Sequence, residues 1–476
     1  MKILVTGATG YIGRRLKERL LGKPDCRLRL LVRNRNKVRL SVRDQVEIVE
    51  GDTFNEEALD RALAGIEVAY YLIHSMGSGK DYRDLDRLSA ENFREAAIRA
   101  GVKRIIYLGG LGVRETASKH LLSRIETGEV LGAKPERIQT IWFRAGVIIG
   151  SGSASFEIIR HLVQKLPVMV TPKWVNTLTQ PIAVDDVISY LAAAADKEIP
   201  GNLTVDIGSA PMSFREMILE AAAVMNLKRL MIPVPVLSPR LSSYWLILLT
   251  PINYQLAGAL VEGLKSETVA LNDHARRYFP EIAPVSYRQA VQQAMGELEE
   301  NQVLSRWCDS SGGAVCDIKD RDDPAAAVLR DRREYPLGDA TPAEVFTAAC
   351  TLGGEHGWFR YHFLWQFRGL VDKLLGGYGL NRGRRVKDKL RVGDSLDFWK
   401  VADLKENKRL LLLAQMKVPG KAWLEFDIQP DKLVQTAHFL PNGLWGRLYW
   451  YSVLPLHHLV FSNLARHIVL QARRNR

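Results

Sequence analysis

Short apolar runs alternate with stretches of helical spacing along the N-terminal part of the chain. Ile3–Thr6 is the first such run, and Leu16, Leu20 and Leu21 follow at once on one face of a helix. Leu28–Val32, Val46–Val49, Val68–Ile73 and Arg104–Leu108 repeat the strand pattern, and Arg87–Ala100 reads as a helix. Strands and helices alternating at this spacing predict an α/β domain built on a doubly wound parallel sheet. Such sheets collect their ligands at the carboxyl ends of the strands. A closing helix is expected over Ala290–Gln302.

The pattern then changes. Trp307–Asp323 is rich in Ser, Gly, Asp and Lys without sustained periodicity, and Asp320-Arg321-Asp322-Asp323-Pro324 is turn punctuation. Residues 306–335 therefore read as a linker between a first domain, 1–305, and a second, 336–476. In the second, Thr341 reads as an N-cap with Pro342 at the first helical position, opening a helix over Val345–Leu352. An aromatic-dense segment, Trp358 to Phe367, and a basic run, Arg382–Arg391, follow. Strands are predicted over Ser395–Val401, Arg409–Lys417, Ala422–Gln429 and Leu433–Leu440, then a long helix over Gly446–Arg474. The second domain is expected to be α+β.

Gly7, Gly10 and Gly13 stand between the first strand and its helix. They serve, in turn, a tight turn, a close backbone approach to a pyrophosphate, and close packing of helix on strand. The phosphates would sit on free N–H groups at a helix N-terminus. The second strand ends at Arg33, and no acid lies between Cys26 and Arg43. A carboxylate there would hold an unphosphorylated ribose, whereas an arginine accommodates a 2′-phosphate. The expected cofactor is NADP(H), with NAD(H) as the alternative. Candidate cofactor contacts are Gly7, Thr9, Gly10, Tyr11, Ile12 and Gly13 in the loop, with Arg33, Asp52, His74 and Ser75 at later strand ends.

Over roughly residues 1–300 the chain resembles the short-chain dehydrogenase/reductase superfamily in its extended or atypical, NmrA-like and epimerase-like branch. The resemblance rests on Thr6-Gly7-Ala8-Thr9-Gly10-Tyr11-Ile12-Gly13, Glu50-Gly51-Asp52, Ala100–Leu108, Arg144–Gly150, Pro181–Val187 and Ile207-Gly208-Ser209. It implies a Rossmann-type cofactor domain with a small substrate-covering part. Such enzymes usually carry Tyr-x-x-x-Lys as the proton-exchanging pair, with a serine at the preceding strand end. Here the corresponding stretch reads His120-Leu121-Leu122-Ser123-Arg124, and the strand ends in Gly109-Gly110. His120 is the candidate general acid, since an ordinary imidazole titrates near neutrality, and Arg124 would hold a negative charge beside it. The competing view makes both structural.

Residues 336–476 resemble the helix-grip fold of START-like carriers of hydrophobic ligands, and a domain of uncharacterised function found behind atypical reductases. Gly393–Trp399 and Gly420–Phe426 carry that likeness. Trp399, Trp423, Phe426, Trp450 and Tyr451 are candidate walls of an apolar cavity, with ordinary core packing as the alternative.

Three functions follow: an oxidoreductase acting on an apolar carbonyl or alcohol, a non-catalytic nucleotide sensor or assembly factor, and a hydrophobic-ligand carrier under nucleotide control. The 476 residues suffice for two or three cores. The four cysteines lack metal or disulfide spacing, so no metal site is expected and a reducing, cytoplasmic compartment is. Met1-Lys2 leads straight into a strand, so no signal peptide is expected. Residues 1–50 carry 13 basic and 5 acidic side chains, and residues 357–476 carry 21 and 9. The first excess surrounds the cofactor candidates. The second accompanies the last helix and Arg473-Arg474-Asn475-Arg476, which would suit contact with an anionic membrane surface, although cations that complement the dipole at a helix end explain the same residues with less. No nucleic-acid motif accompanies the charge.

Overall fold

In a computed structural model the chain divides into two compact units, Met1–Thr250 with Gln255–Ala314 and Pro251–Tyr254 with Val315–Arg476. The described residues are 1–38, 40–74, 82–234, 263, 266–299, 327–353, 357–358, 362–374 and 390–474. Ser75, the linker residues 306–326, most of the basic run, and Asn475 and Arg476 lie outside them.

The first unit is built on seven parallel strands. These are β1 (Lys2–Thr6), β2 (Arg27–Val32), β3 (Glu47–Glu50), β4 (Val68–Tyr71), β5 (Arg104–Gly110), β6 (Gln139–Ala145) and β7 (Leu203–Ile207). Their order in space is β7-β6-β5-β4-β1-β2-β3, so the winding direction reverses between β1 and β4. That crevice is where such sheets bind ligands. The helices that matter here are α1 (Tyr11–Leu21), α2 (Glu56–Leu63), α3 (Tyr82–Arg99), α4 (Lys119–Leu131), α5 (Val184–Ala193) and α6 (Tyr287–Glu299). Side chains alternate between the two faces of a strand. Ile3 and Val5 therefore pack with Leu16 and Leu20 of α1 and Val187 and Leu191 of α5. Leu4 joins Leu59 and Leu63 of α2 and Phe93 of α3 on the other face. Both faces are covered, which is why β1 reads as an unbroken apolar run.

The second unit holds a six-stranded antiparallel sheet. Its strands are β8 (Leu329–Pro336), β9 (Ser395–Leu396), β10 (Trp399–Lys405), β11 (Arg409–Ala414), β12 (Gly420–Ile428) and β13 (Lys432–Pro441). They lie in the order β8-β13-β12-β11-β10-β9. Its helices are α7 (Pro342–Ala349), α8 (His362–Leu374) and the long α9 (Gly443–Arg474). Trp450, Phe461, Leu464, Ile468 and Val469 of α9 pack with Leu424, Phe426, Leu433 and Phe439 of the sheet. Each fully buried large side chain contributes about 1.5–3 kcal/mol. The N-cap expected at Thr341 is present as a capping box: Glu344 N–H donates to Thr341 Oγ1, and Thr341 N–H donates to the Glu344 carboxylate.

Several expectations need correction. Residues 329–335, assigned to the linker, belong to β8, whose partner is β13. Its alternation is there, but five of its eight residues are charged, so it carries no apolar stripe. Ser395–Val401 is not one strand. Asp397 takes a left-handed φ of 54° and turns the chain so that Leu396 pairs with Trp399. Of the proposed cavity walls, Tyr451 is exposed. Trp423 packs with Leu411 and Leu413, apart from the cluster that holds Trp399, Phe426 and Trp450.

Burial pushes His161, in the helix Ala154–Lys165, and His457 of α9 down to about 4. Both therefore fold as neutral imidazoles, while the unfolded chain binds protons from about pH 6.5 downwards. Stability present above that pH should fall by about 1.4 kcal/mol per pH unit for each imidazole on acidification, until the folded groups titrate. Urea unfolding followed as a function of pH should show this slope, and His161→Gln should remove its own share.

Candidate functional site

The site is built where the carboxyl ends of β1, β2, β4 and β5 meet the first turn of α1. Gly7 adopts φ +63°, and a Cβ there would lie 2.3 Å from the Leu72 carbonyl oxygen. Only glycine fits that turn. The Gly10 N–H donates to the Gly7 carbonyl at 2.8 Å, and Gly10 is the N-cap of α1 with no side-chain cap bond. A Cβ at Gly13 would sit 2.2 Å from the Gly7 oxygen, so α1 can lie this close to the strand only without one. The first turn of α1 carries no acid. Backbone amides at a helix start, approachable and without a competing carboxylate, fit a dinucleotide pyrophosphate.

The other loop residues divide between cradle and scaffold. Arg14 is buried and donates from Nε to the Thr9 carbonyl at 2.9 Å, bracing the loop. The side chain of Tyr11 turns inward. A Cβ at Gly150 would lie 2.7 Å from its hydroxyl, and burial pushes that phenol well up. Its contribution to an anion would come from backbone. Arg15 is buried as well, bonded to Glu297 of α6 at 2.7 Å and to Ser151 at 3.0 Å.

Arg33 is the first residue past β2 and is exposed, in the place a 2′-phosphate would occupy. Asp52 follows β3. Its carboxylate accepts from Phe54 N–H at 2.9 Å, shaping the turn into α2, which gives it a local structural role whether or not a ribose binds.

The structure brings His74 and His120 together and adds a partner that the sequence does not mark. His74, three residues past β4, donates from Nδ1 to Asp86 of α3 at 2.8 Å. Its Nε2 lies 3.0 Å from His120 Nδ1. The buried Asp86 also accepts from Ser123 Oγ at 2.9 Å. A carboxylate and two imidazoles thus form one chain, with ring centroids 4.6 Å apart. Burial, with His74 and Arg124 beside it, pushes His120 down to about 2. An ordinary imidazole titrates near neutrality, but here burial favours the neutral ring. Arg124 donates to the Leu108 carbonyl at 3.0 Å and so holds α4 to the end of β5. The absent serine has a steric reason. A Cβ at Gly109 would meet Trp142 Nε1 at 2.4 Å, and one at Gly110 would meet Leu121 Cδ1 at 2.7 Å.

Residues 7–139 match a family model described as NAD(P)H-binding. The ceramide reductase of Caulobacter vibrioides is 30% identical over 241 residues, covering 49% of this chain and 73% of that enzyme. The chain belongs to the NAD(P)H-binding reductases. The (4-alkanoyl-5-oxo-2,5-dihydrofuran-3-yl)methyl phosphate reductase of Streptomyces griseus is 34% identical over 123 residues, 26% of this chain and 39% of that enzyme. Among solved structures, the Citrobacter sp. triphenylmethane reductase complexed with NADP(H) is 21% identical with a TM-score of 0.51, covering 62% of this chain and all of that one. At that identity the likeness shows the fold alone. Residues 324–464 match a family described as a protein of unknown function, DUF2867.

For this reductase, Gly13→Val should abolish nucleotide binding, because the added carbons drive α1 away from the loop. Calorimetric titration with NADPH should show at least about a hundredfold weaker binding, the loss expected when the backbone cradle opens.

Proposed function

We propose that the first unit reduces an apolar carbonyl with NADPH and oxidises the corresponding alcohol in reverse. The observation that carries this reading is the Asp86–His74–His120 chain beside the glycine loop. Bound NADPH supplies a hydride to the carbonyl carbon. The protein's residues supply the proton. The relay is loaded when the pair carries one extra proton, His74 donating from Nδ1 to Asp86 and from Nε2 to His120 Nδ1. As His120 releases its Nε2 proton to the substrate oxygen, His74 passes its own Nε2 proton to His120 Nδ1. The pair ends one proton poorer, with His74 neutral and still donating to Asp86. In the reverse direction the bare Nε2 of His120 accepts the alcohol proton. A neutral imidazole serving as the donor to a carbonyl is known chemistry, and this chain needs neither tyrosine nor lysine.

NADPH is favoured over NADH by Arg33 and by the lack of an acid near the end of β2. An apolar substrate is favoured by the relative named for ceramide, a lipid. For the second unit we favour the helix-grip architecture: β8 pairs with the last strand, β13, a meander follows outward, and α9 packs on both strands. A carrier or covering role for that unit rests on this likeness.

The test is NADPH consumption with lipophilic ketones, aldehydes and quinones. His120→Ala should lower kcat by about 10²–10⁴-fold, as for loss of a general acid–base group, with nucleotide affinity unchanged. Unchanged turnover in His120→Ala would remove the relay. Tight NADPH binding with no carbonyl reduced would favour the sensor reading. Arg33→Ala should weaken NADPH by about tenfold or more, the worth of one charge-assisted phosphate contact, and leave NADH binding unchanged in the same titration.

A further inference from the structure

Helix α9 presents two different outer faces along its length. In its first half Leu444, Trp445, Leu448 and Tyr451 are all exposed, Trp445 at 78%. They recur at helical spacing on one side, opposite the buried Trp450, Phe461 and Leu464. Its later outer positions include the exposed Arg466, whereas Arg473 donates to the Leu337 carbonyl at 2.9 Å. Across its 32 residues α9 contains no Asp or Glu. The neighbouring α8 repeats the arrangement. Phe363, Phe367 and Leu370 are exposed at i, i+4 and i+7, while Trp365 turns inward to within 6.1 Å of Phe461.

Among the described residues the α9 stripe is exposed, and its chemistry points to one occupant. The two stripes lie beside charge of one sign, with Arg447 and Arg466 exposed and no acid in α9. They combine Trp, Tyr and Phe, which settle at a lipid–water boundary, with a cationic helix free of acids. The exposed Arg447 lies within the apolar half, where a long basic side chain can reach phosphates while its stem lies along the acyl boundary. No helix among the described residues is long and apolar enough to cross a membrane, so the mode is surface attachment.

We propose that the outer face of the first half of α9, with the stripe on α8, docks onto an anionic lipid bilayer surface. Trp445 and Leu448 enter the headgroup boundary, and Arg447 and Arg466 meet lipid phosphates. The site is independent of the glycine loop and does not depend on the reductase chemistry.

Co-sedimentation of the full chain with phosphatidylcholine vesicles, with and without phosphatidylglycerol, tests this. The protein should sediment with the anionic vesicles, weakly or not at all with neutral ones, and less as salt is raised. The double variant Trp445→Ser/Leu448→Ser should partition about tenfold more weakly or worse, from the lost apolar burial. Its thermal melt and NADPH binding should match the parent. Phe367→Ser gives a second, separate variant with the same expected direction. Wild-type protein left in the supernatant with both vesicle types would overturn the proposal, as would equal sedimentation of the double variant. Self-association of the parent that the double variant abolishes would also overturn it, by making the face an interface between copies.

Discussion

Leu72 lies immediately past β4, and both its backbone groups are committed to the end of β1. Its N–H donates to Thr6 Oγ1 at 3.1 Å, and its carbonyl oxygen fills the space a side chain at position 7 would need. That oxygen leaves no room for a Cβ at position 7, where the turn is also left-handed. The start of α1 and its approach to the strand follow from the turn. His74 stands only two residues beyond the same oxygen. The phosphate cradle and the first imidazole of the relay therefore share one backbone anchor, and neither can shift without the other.

The replacement of the usual tyrosine and lysine follows from packing at β5. Trp142 and Leu121 occupy the volume over Gly109 and Gly110, so α4 lies tight against the strand, tied by Arg124 to the Leu108 carbonyl. That closeness brings His120 within hydrogen-bond distance of His74. It also fixes where charge resides. His120 is buried between two potential cations, His74 and Arg124, which disfavour a third. His74 has the Asp86 carboxylate against it. Ser123 donates to the same Asp86 oxygen that His74 uses, which fixes the carboxylate and hence the tautomer.

Much of this is legible in the sequence, because the first unit obeys local rules. Strand and helix periods, the glycine spacing and the Thr341 cap all depend on residues close in the chain. The positions of His74 and His120 near strand ends are legible for the same reason. Their pairing is not. Asp86 sits in the middle of α3, a helix of mixed polarity, and nothing at residues 82–99 marks one buried carboxylate among the exposed acids. Tertiary contact alone gives it a role. Composition misjudges the titration of His120 because burial, which no local pattern reports, sets it. In the second unit, β8 is hidden by its charges. Aromatic content groups Trp423 with Trp399 because it says nothing of strand parity.

The charge distribution shows the same divide between what composition states and what packing does. The basic excess in residues 1–50 looks like an anion site. Several of its members are instead consumed inside the fold. Arg14 braces the Thr9 carbonyl, Arg15 pairs with Glu297, and Arg29 pairs with Glu47 at 2.6 Å while also meeting the Ala64 carbonyl. Arg33, exposed at the end of β2, stands in the place where a phosphate would be read. In α9 the balance runs the other way. No acid in that helix offsets its arginines; Arg473 is tied to the Leu337 carbonyl and Arg466 is exposed, both near the C-terminal end, where the helix dipole favours cations.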